Sequence, residues 1–261
     1  MKLIMKFFLV LSLMMISGCI EESKSTNSTT KLTISAASSM SQSLIQLKDM
    51  FESEYPSINI TYNFGGTGTL RKQIEQGAPV DMFFLASKAD YDLLYDGGYI
   101  ESAYPIFQNK LVIIKHIDAK INNFNDYLNT NKKIAIGTPG AVPAGTYAKQ
   151  VLKSKGVWDK LVEENRLVFT RDVKHVLTLV KQGEVDVGFV YFSDVKQTAN
   201  INIIEEIDPQ LHEPIEYYIA ILADFTGNEE AVKTFYRYVL NEKSRALFNS
   251  FGFHTKSGVE K

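Results

Sequence analysis

Hydrophobic residues recur along this chain in two patterns: short apolar runs, and longer segments in which apolar residues return at every third or fourth position. After the run LTIS, for example, Met40, Leu44, Leu47 and Phe51 follow at such spacing. The short runs predict strands, and the spacing of three and four predicts helices with one buried face. Because the two patterns alternate, the sequence predicts mostly parallel sheets whose strands are connected by right-handed helical crossovers.

The alternation runs through one set of units, restarts, and finishes with two helices near 229–240 and 243–250. This restart favours two α/β lobes with helices on both faces of each sheet. If the last helices pack on the first lobe, the chain crosses between the lobes near 107–110 and near 213–216, and these crossings would be hinges. The predicted strands are LTIS, INITYNF, VDMFFLAS, KLVIIKH, KKIAIG, LVFT, VDVGFVY, INIIEEI and PIEYYIAIL.

Four of the strand-to-helix junctions are rich in small or hydroxyl-bearing residues. The first N–H groups of a helix have no intrahelical acceptor, and the helix dipole makes that end positive. If several such junctions converge, they form a cage for an anion. The four junctions are LTISAASSMSQSL, INITYNFGGTGTL, IAIGTPGAVPAGTYA and LVFTRDVKHVL.

Three side chains at these strand ends are candidate donors, and each also has a purely structural interpretation. Ser39 precedes a predicted helix, where serine is a preferred N-cap. Thr67 lies in the turn GGTG, whose glycines allow close backbone approach to a ligand, although the turn lacks the ending of a nucleotide-binding P-loop. Tyr191 ends the strand VDVGFVY, where its phenol either enters a cleft or packs in the core.

Backbone groups at the other two junctions are further candidates. Pro143 stands just before a predicted helix, where its missing N–H costs nothing, and this would leave the N–H of Ala144 or Gly145 free. Asp172 can cap the helix that begins at Val173.

Composition narrows the classes of function. The 261 residues are 45% hydrophobic and 22% charged, with a formal net charge of −2, as in an ordinary soluble protein without a field that attracts nucleic acid. No hydrolase elbow is present, and the histidines lie in separate segments without metal-ligand spacing. We therefore expect a binding protein rather than an enzyme, with no cofactor and no cation site.

The N-terminal segment indicates export. Lys2 and Lys6 precede an apolar stretch that ends just before Cys19, the single cysteine. This pattern is typical of a secretory signal over residues 1–18, with a retained anchor helix as the alternative. The segment resembles a lipoprotein signal, which implies lipid attachment at Cys19, although a stray cysteine in a discarded signal remains an alternative. Residues 19–31 are polar and predict a flexible tether.

Five blocks of the sequence are distinctive as a set, although each is weak alone. The blocks are AASS at 36–39, GTGTLRKQIEQGAPVD at 66–81, VPAGTYAK at 142–149, DV at 172–173 and GFVY at 188–191. In these blocks, and over residues 32–253 as a whole, the chain resembles the periplasmic molybdate-binding proteins of ABC importers. It departs from them at position 67, where many relatives have serine: threonine keeps the hydroxyl and adds a methyl group.

The resemblance implies a two-lobe, type II periplasmic-binding-protein fold. Lobe I would comprise residues 32–108 and 216–258, and lobe II residues 109–215. It also implies a monomeric, membrane-anchored extracytoplasmic lipoprotein that binds molybdate or tungstate and delivers it to a permease and its ATPase. The alternatives are another ligand on the same plan, such as sulfate, phosphate, ferric iron or a small organic acid, and a structural lipoprotein without a ligand. The implied ligand donors are Ser39, Thr67, Ala144, Val173 and Tyr191.

Overall fold

The computed structural model describes residues 29–255 except 197 and 226, so the predicted signal, Cys19 and most of the tether lie outside the described residues. Within this range the strands form one six-stranded and one five-stranded sheet. The strands are β1 (Thr30–Ala37), β2 (Ile58–Gly65), β3 (Met82–Leu85), β4 (Ile100–Gln108), β5 (Leu111–His116), β6 (Ile134–Gly137), β7 (Leu167–Thr170), β8 (Val187–Tyr191), β9 (Ile201–Glu206), β10 (Glu216–Leu222) and β11 (His254–Thr255).

Helices connect most of these strands, and two 3-10 turns occur at Ser38–Met40 and Pro209–Leu211. The helices are α1 (Ser41–Glu54), α2 (Thr67–Glu75), α3 (Lys88–Asp96), α4 (Phe124–Leu128), α5 (Pro143–Ser154), α6 (Trp158–Glu163), α7 (Val173–Lys181), α8 (Phe192–Val195), α9 (Glu229–Val239) and α10 (Glu242–Ser250).

Each sheet with its helices forms one lobe. The strand order is β11-β4-β10-β3-β1-β2 in lobe I and β7-β6-β8-β5-β9 in lobe II. The chain leaves lobe I after Gln108 and enters lobe II at Leu111; it leaves β9 at Glu206 and returns to lobe I at Glu216. The first connection between the two sheets thus comprises residues 109–110, and the second comprises residues 207–215.

The sheets are mixed, and the prediction of mostly parallel sheets is wrong in this respect. Strand β1 is parallel to β2 and β3, and β6 is parallel to β7 and β8. The strands next to the crossings are antiparallel to their neighbours: β4 and β10 pair with each other, and β5 pairs with β8 and β9. A chain that enters a sheet from the other lobe does not need the helical crossover that parallel strands require.

The buried centre of lobe I explains why VDMFFLAS reads as continuously apolar. In β3, Met82 and Phe84 face the larger core, while Phe83 and Leu85 face a second core on the opposite side of the sheet. Successive side chains of a strand point to opposite faces, so a strand covered on both faces must be apolar throughout. Each of these side chains contributes about 1.5–3 kcal/mol when fully buried.

The terminal helices pack on lobe I, which is the condition under which the sequence places two crossings between the lobes. The ring of Phe235 in α9 lies 4.9 Å from that of Phe51 in α1. The ring of Phe248 in α10 lies 4.3 Å from that of Phe107 in β4. The last helices therefore close the lobe that contains the first strands.

Strand β4 is absent from the sequence prediction, as are β11 and the short helices α4, α6 and α8. The sequence of β4, IESAYPIFQ, contains Pro105, which cannot donate a hydrogen bond to a neighbouring strand. The register between β4 and β10 shifts at this point, because Pro105 lies opposite Tyr218 and Phe107 opposite Tyr217. Such a bulge accommodates the proline.

Candidate anion-binding site

Strand ends from both lobes meet at one buried cavity. In the arrangement of the structure the free space of this cavity is about that of a single water molecule. All five residues that the sequence suggests as donors line it. They are Ser39 and Thr67 from lobe I, and Ala144, Val173 and Tyr191 from lobe II.

Ser39 lies in the 3-10 turn that joins β1 to α1. The structural alternative for Ser39, that it caps the following helix, does not hold: α1 begins at Ser41, Met40 is its N-cap residue, and no side chain caps it. The 3-10 turn moves Ser39 out of the capping position. Its hydroxyl instead lies 3.0 Å from the hydroxyl of Tyr217, and the residue is only 5% exposed.

Thr67 is the first residue of α2 and is fully buried. Its Oγ1 accepts a hydrogen bond from the N–H of Ala86 at 3.3 Å. A hydroxyl that accepts one bond still has its own hydrogen to donate. The backbone N–H of Thr67 belongs to the first helical turn, where helix geometry supplies no acceptor.

Pro143 is the first residue of α5 and so lies inside the helix, whereas the sequence predicts it just before the helix. Of the two N–H groups that the sequence leaves open, that of Gly145 is not free, because it donates to the carbonyl oxygen of Val142 at 2.9 Å. Ala144, which is 1% exposed, lies in the first turn and lines the cavity. Of the two, Ala144 therefore remains the candidate donor at this junction.

Helix α7 begins as the sequence predicts. Oδ1 of Asp172 accepts a hydrogen bond from the N–H of His175 at 2.8 Å, which is N-capping geometry. Val173 is the first helical residue, and it is buried at the cavity. The cap and the start of the helix together direct a backbone N–H and the positive dipole end toward the cavity.

Tyr191 ends β8, and its side chain lines the cavity. Its hydroxyl oxygen is buried, and no atom of the described residues forms a hydrogen bond with it. Burial, reinforced by nearby Tyr217, Tyr147 and Asp194, raises the pKa of Tyr191 well above its usual value. The phenol therefore keeps its proton at neutral pH and remains a donor.

An ion pair that the sequence analysis missed lies behind Tyr191. Asp194 is fully buried. Its Oδ2 accepts a hydrogen bond from the N–H of Tyr191 at 3.1 Å. Its Oδ1 forms an ion pair with Nζ of Lys174 at 3.0 Å. Burial raises the pKa of Asp194, while the charge of Lys174 opposes that shift. The spacing YFSD, with an acid three residues after the strand end, is the sequence feature that could have identified Asp194.

The lobes touch through backbone at the edge of the cavity. The N–H of Gly68 donates to the carbonyl oxygen of Ala141 at 3.1 Å. A Cβ on Gly66 would lie 2.6 Å from that same oxygen, and one on Gly68 would lie 2.4 Å from the carbonyl oxygen of Gly140. Only glycine allows the backbones to approach this closely.

In the part of the chain that the structure describes, no three His, Cys, Asp or Glu side chains are arranged to hold a metal ion. None of the helices between residues 29 and 255 is long and apolar enough to cross a membrane.

Two lobes that are joined by two crossings and that enclose a small cavity lined by donors define a solute-binding protein. The chain belongs to the bacterial extracellular solute-binding protein family, which matches it over residues 32–254.

Relatives of known name agree with this class. The chain is 36% identical to the Bacillus subtilis protein YvgL, in an alignment that covers 92% of this chain and 93% of YvgL. YvgL is provisionally named an ABC transporter substrate-binding lipoprotein. It is 31% identical to the molybdate-binding protein ModA of Escherichia coli, over 87% and 90% of the two chains. A solved structure, provisionally described as the substrate-binding domain of a molybdenum ABC transporter from Clostridium difficile, has 34% identity and a TM-score of 0.65, covering 87% of this chain and 99% of that one.

Proposed function

We propose that this protein is the extracytoplasmic binding component of an ABC importer and that it binds molybdate or tungstate in the cavity between its lobes. One observation carries the proposal. Donors from both lobes, which are up to 152 positions apart in the chain, line the same cavity: Ser39 and Thr67 on one side, and Ala144, Val173 and Tyr191 on the other. The bound oxyanion would then pass to a membrane permease that is driven by an ATPase.

The kind of donor supports an oxyanion that is fully deprotonated. Molybdate and tungstate carry no hydrogen near neutral pH, so they only accept hydrogen bonds. Among the described residues, no Lys or Arg lines the cavity, and the donors are hydroxyls and the beginnings of helices. A hydrogen bond to a charged group contributes about 1.5–3 kcal/mol, so neutral donors can hold a dianion without a buried countercharge.

The size of the cavity bears on how the proposed ligand enters. In the arrangement of the structure the free space is about that of one water molecule, whereas a tetrahedral oxyanion has four oxygen atoms around one centre. Binding of the ion therefore requires the lobes to move slightly apart and to close again around it.

The names of the relatives support the ligand and the transport role. ModA of Escherichia coli is named as molybdate-binding, and the Clostridium difficile structure is described as belonging to a molybdenum ABC transporter. A ligand that contacts both lobes favours the closed arrangement through its differential affinity.

We also propose the boundaries of the two lobes. Lobe I would comprise residues 32–108 and 216–258, and lobe II residues 109–215. The proposed functional unit is a monomer.

We further propose that the protein is held at the membrane through Cys19. Residues 1–18 would be the removed signal and residues 19–31 the tether. The name of YvgL includes the term lipoprotein, which supports this assignment. A lipidated cysteine with two or more acyl chains gives stable anchoring, whereas one myristoyl-length chain gives only marginal binding.

Isothermal titration calorimetry and thermal unfolding of the mature protein test the proposed ligand. We expect one molybdate or one tungstate per protein, and a gain in the free energy of unfolding of about 2.7 kcal/mol at a ligand concentration 100 times the Kd. Sulfate, phosphate and a small organic acid serve as the comparison panel. If one of these gives both heat and a thermal shift while molybdate and tungstate give neither, the proposed ligand is wrong.

A further inference from the structure

Ser39 ends a buried chain of hydrogen bonds that begins at the first crossing between the lobes. Its Oγ lies 3.0 Å from the hydroxyl of Tyr217, and either atom could be the donor. Nδ2 of Asn109 donates to that tyrosine oxygen at 3.3 Å and to Oγ of Ser193 at 2.8 Å. Asn109 stands between β4 and β5, so the chain connects the crossing to the cavity.

The backbone determines the orientation of the Asn109 amide. Oδ1 of Asn109 accepts the N–H of Lys110 at 2.9 Å. Because an amide carries its acceptor and its donors on different atoms, the NH₂ group must face Tyr217 and Ser193. The oxygen of Tyr217 therefore accepts a hydrogen bond rather than donating one to Asn109.

The burial of Tyr217 then determines the direction of the next bond. Its side chain is fully buried, and burial raises the pKa of Tyr217 well above its usual value, so the phenol keeps its hydrogen. Among the described residues, Ser39 and Asn109 are the hydrogen-bond partners of this hydroxyl, and Asn109 is a donor. If Ser39 donated to Tyr217, the phenol hydrogen would be left buried without an acceptor, which costs free energy. Tyr217 is therefore the donor, and Ser39 is the acceptor.

We propose that Asn109 and Tyr217 are positioning residues that turn the hydroxyl hydrogen of Ser39 into the cavity. Ser39 lines the cavity, and its oxygen already accepts from Tyr217, so its own hydrogen is left for the ligand. A serine that is held as a donor does not lose rotational freedom when the ligand binds. This inference rests on the proposed binding of molybdate or tungstate in the cavity.

A double-mutant cycle on the affinity for molybdate tests the proposal. We expect Tyr217→Phe to weaken binding by about tenfold, as for the loss of an oriented hydrogen bond to a charged ligand. In the Ser39→Ala background, the same substitution should change the Kd by less than about twofold, because Tyr217 acts through Ser39. Damage to the packing alone would weaken binding equally in both backgrounds.

The next residue along β10 provides the matched control. The hydroxyl of Tyr218 donates to Oε2 of Glu216 at 2.6 Å, and its ring belongs to the core on the other face of the sheet. Tyr218→Phe should leave the Kd for molybdate unchanged. If Tyr217→Phe and Tyr218→Phe have the same Kd, the positioning role is refuted.

The possible outcomes distinguish a failure of the positioning role from a failure of the proposed function. If the wild-type protein binds neither molybdate nor tungstate, the proposed function fails, and the positioning role fails with it. If the wild type binds and Tyr217→Phe weakens binding equally in the presence and absence of Ser39, only the positioning role fails. Should thermal unfolding show that Tyr217→Phe does not fold, Asn109→Ala enters the same cycle, and the absence of coupling to Ser39 overturns the proposal.

Discussion

Removing one hydroxyl from Tyr191 should separate ligand binding from stability. The Tyr191 hydroxyl has no hydrogen-bond partner among the described residues, whereas the hydroxyl of Tyr127 donates to the carbonyl oxygen of Lys133 at 2.6 Å. Both tyrosines are 2% exposed. The substitutions Tyr191→Phe and Tyr127→Phe therefore remove the same atom from equally buried side chains, with different partners.

The two substitutions should affect different properties: Tyr127→Phe the stability of the protein, and Tyr191→Phe its affinity for molybdate. Tyr127→Phe leaves a carbonyl oxygen without its partner, which lowers the free energy of unfolding by about 1–3 kcal/mol. For a chain of this size, each kcal/mol corresponds to roughly 2–4 °C in Tm. Tyr191→Phe breaks no bond within the protein, so the ligand-free protein should change by less than about 0.5 kcal/mol. Its affinity for molybdate should fall about 10- to 150-fold, since one hydrogen bond to a charged ligand is lost.

Thermal unfolding without ligand and calorimetric titration with molybdate measure both effects on both variants. We expect a lowered Tm with an unchanged Kd for Tyr127→Phe, and an unchanged Tm with a raised Kd for Tyr191→Phe. The reasoning is refuted if Tyr191→Phe lowers the Tm as much as Tyr127→Phe does and leaves the Kd unchanged. That result would place the Tyr191 hydroxyl in the structural core rather than at the ligand.

Three other predictions concern closure, selectivity and anchoring. Gly68→Ala places a Cβ 2.4 Å from the carbonyl oxygen of Gly140, so the lobes should not close fully. We expect the Kd for molybdate to rise at least about tenfold, and the radius of gyration of the ligand-bound protein in small-angle scattering to be larger than that of the wild type. An unchanged Kd would contradict this prediction. Molybdate and tungstate should compete with each other at similar concentrations, and sulfate should compete only weakly because it is smaller. Hydrogen phosphate should not compete, since its buried O–H would lack an acceptor at a cost of about 1–3 kcal/mol. Displacement of molybdate by equimolar phosphate would disprove a site made of donors alone. Cys19→Ala should move the protein from the membrane to the soluble fraction on cell fractionation, and retention with the same cleaved N-terminus would exclude the lipid anchor.

Much of the candidate site could be predicted because its donors are local features of the chain. Pro143 and Asp172 mark the beginnings of α5 and α7; Asp172 caps α7 as predicted, and Pro143 is the first residue of α5 instead of lying just before it. Ser39 lies at the predicted junction, but a 3-10 turn separates it from α1, so it does not cap that helix. Capping depends on a few neighbouring residues, whereas the partner of Ser39 lies 178 positions away.

The residues that support the donors could not be found in the same way. The run PIEYYIAIL places Tyr217 and Tyr218 on opposite faces of a strand, and the pattern does not say which face meets the cavity. Asn109 lies within the predicted first crossing, but a single asparagine between two strands carries no sign of its partners. The contact between Gly68 and Ala141 is likewise invisible until the lobes are brought together.

The sequence by itself determined the alternation of strands and helices and the strand-to-helix junctions that line the cavity, because each depends on periodicity or on helix-end chemistry within a few residues. Only the tertiary structure decided the direction of the strands beside the crossings, the bulge that admits Pro105 to β4, and the direction of the hydrogen bonds behind Ser39. These depend on which distant segments become neighbours after the chain has passed from lobe I to lobe II and back. Burial then requires each polar group to find a partner among those neighbours, and the sequence pattern does not contain that pairing.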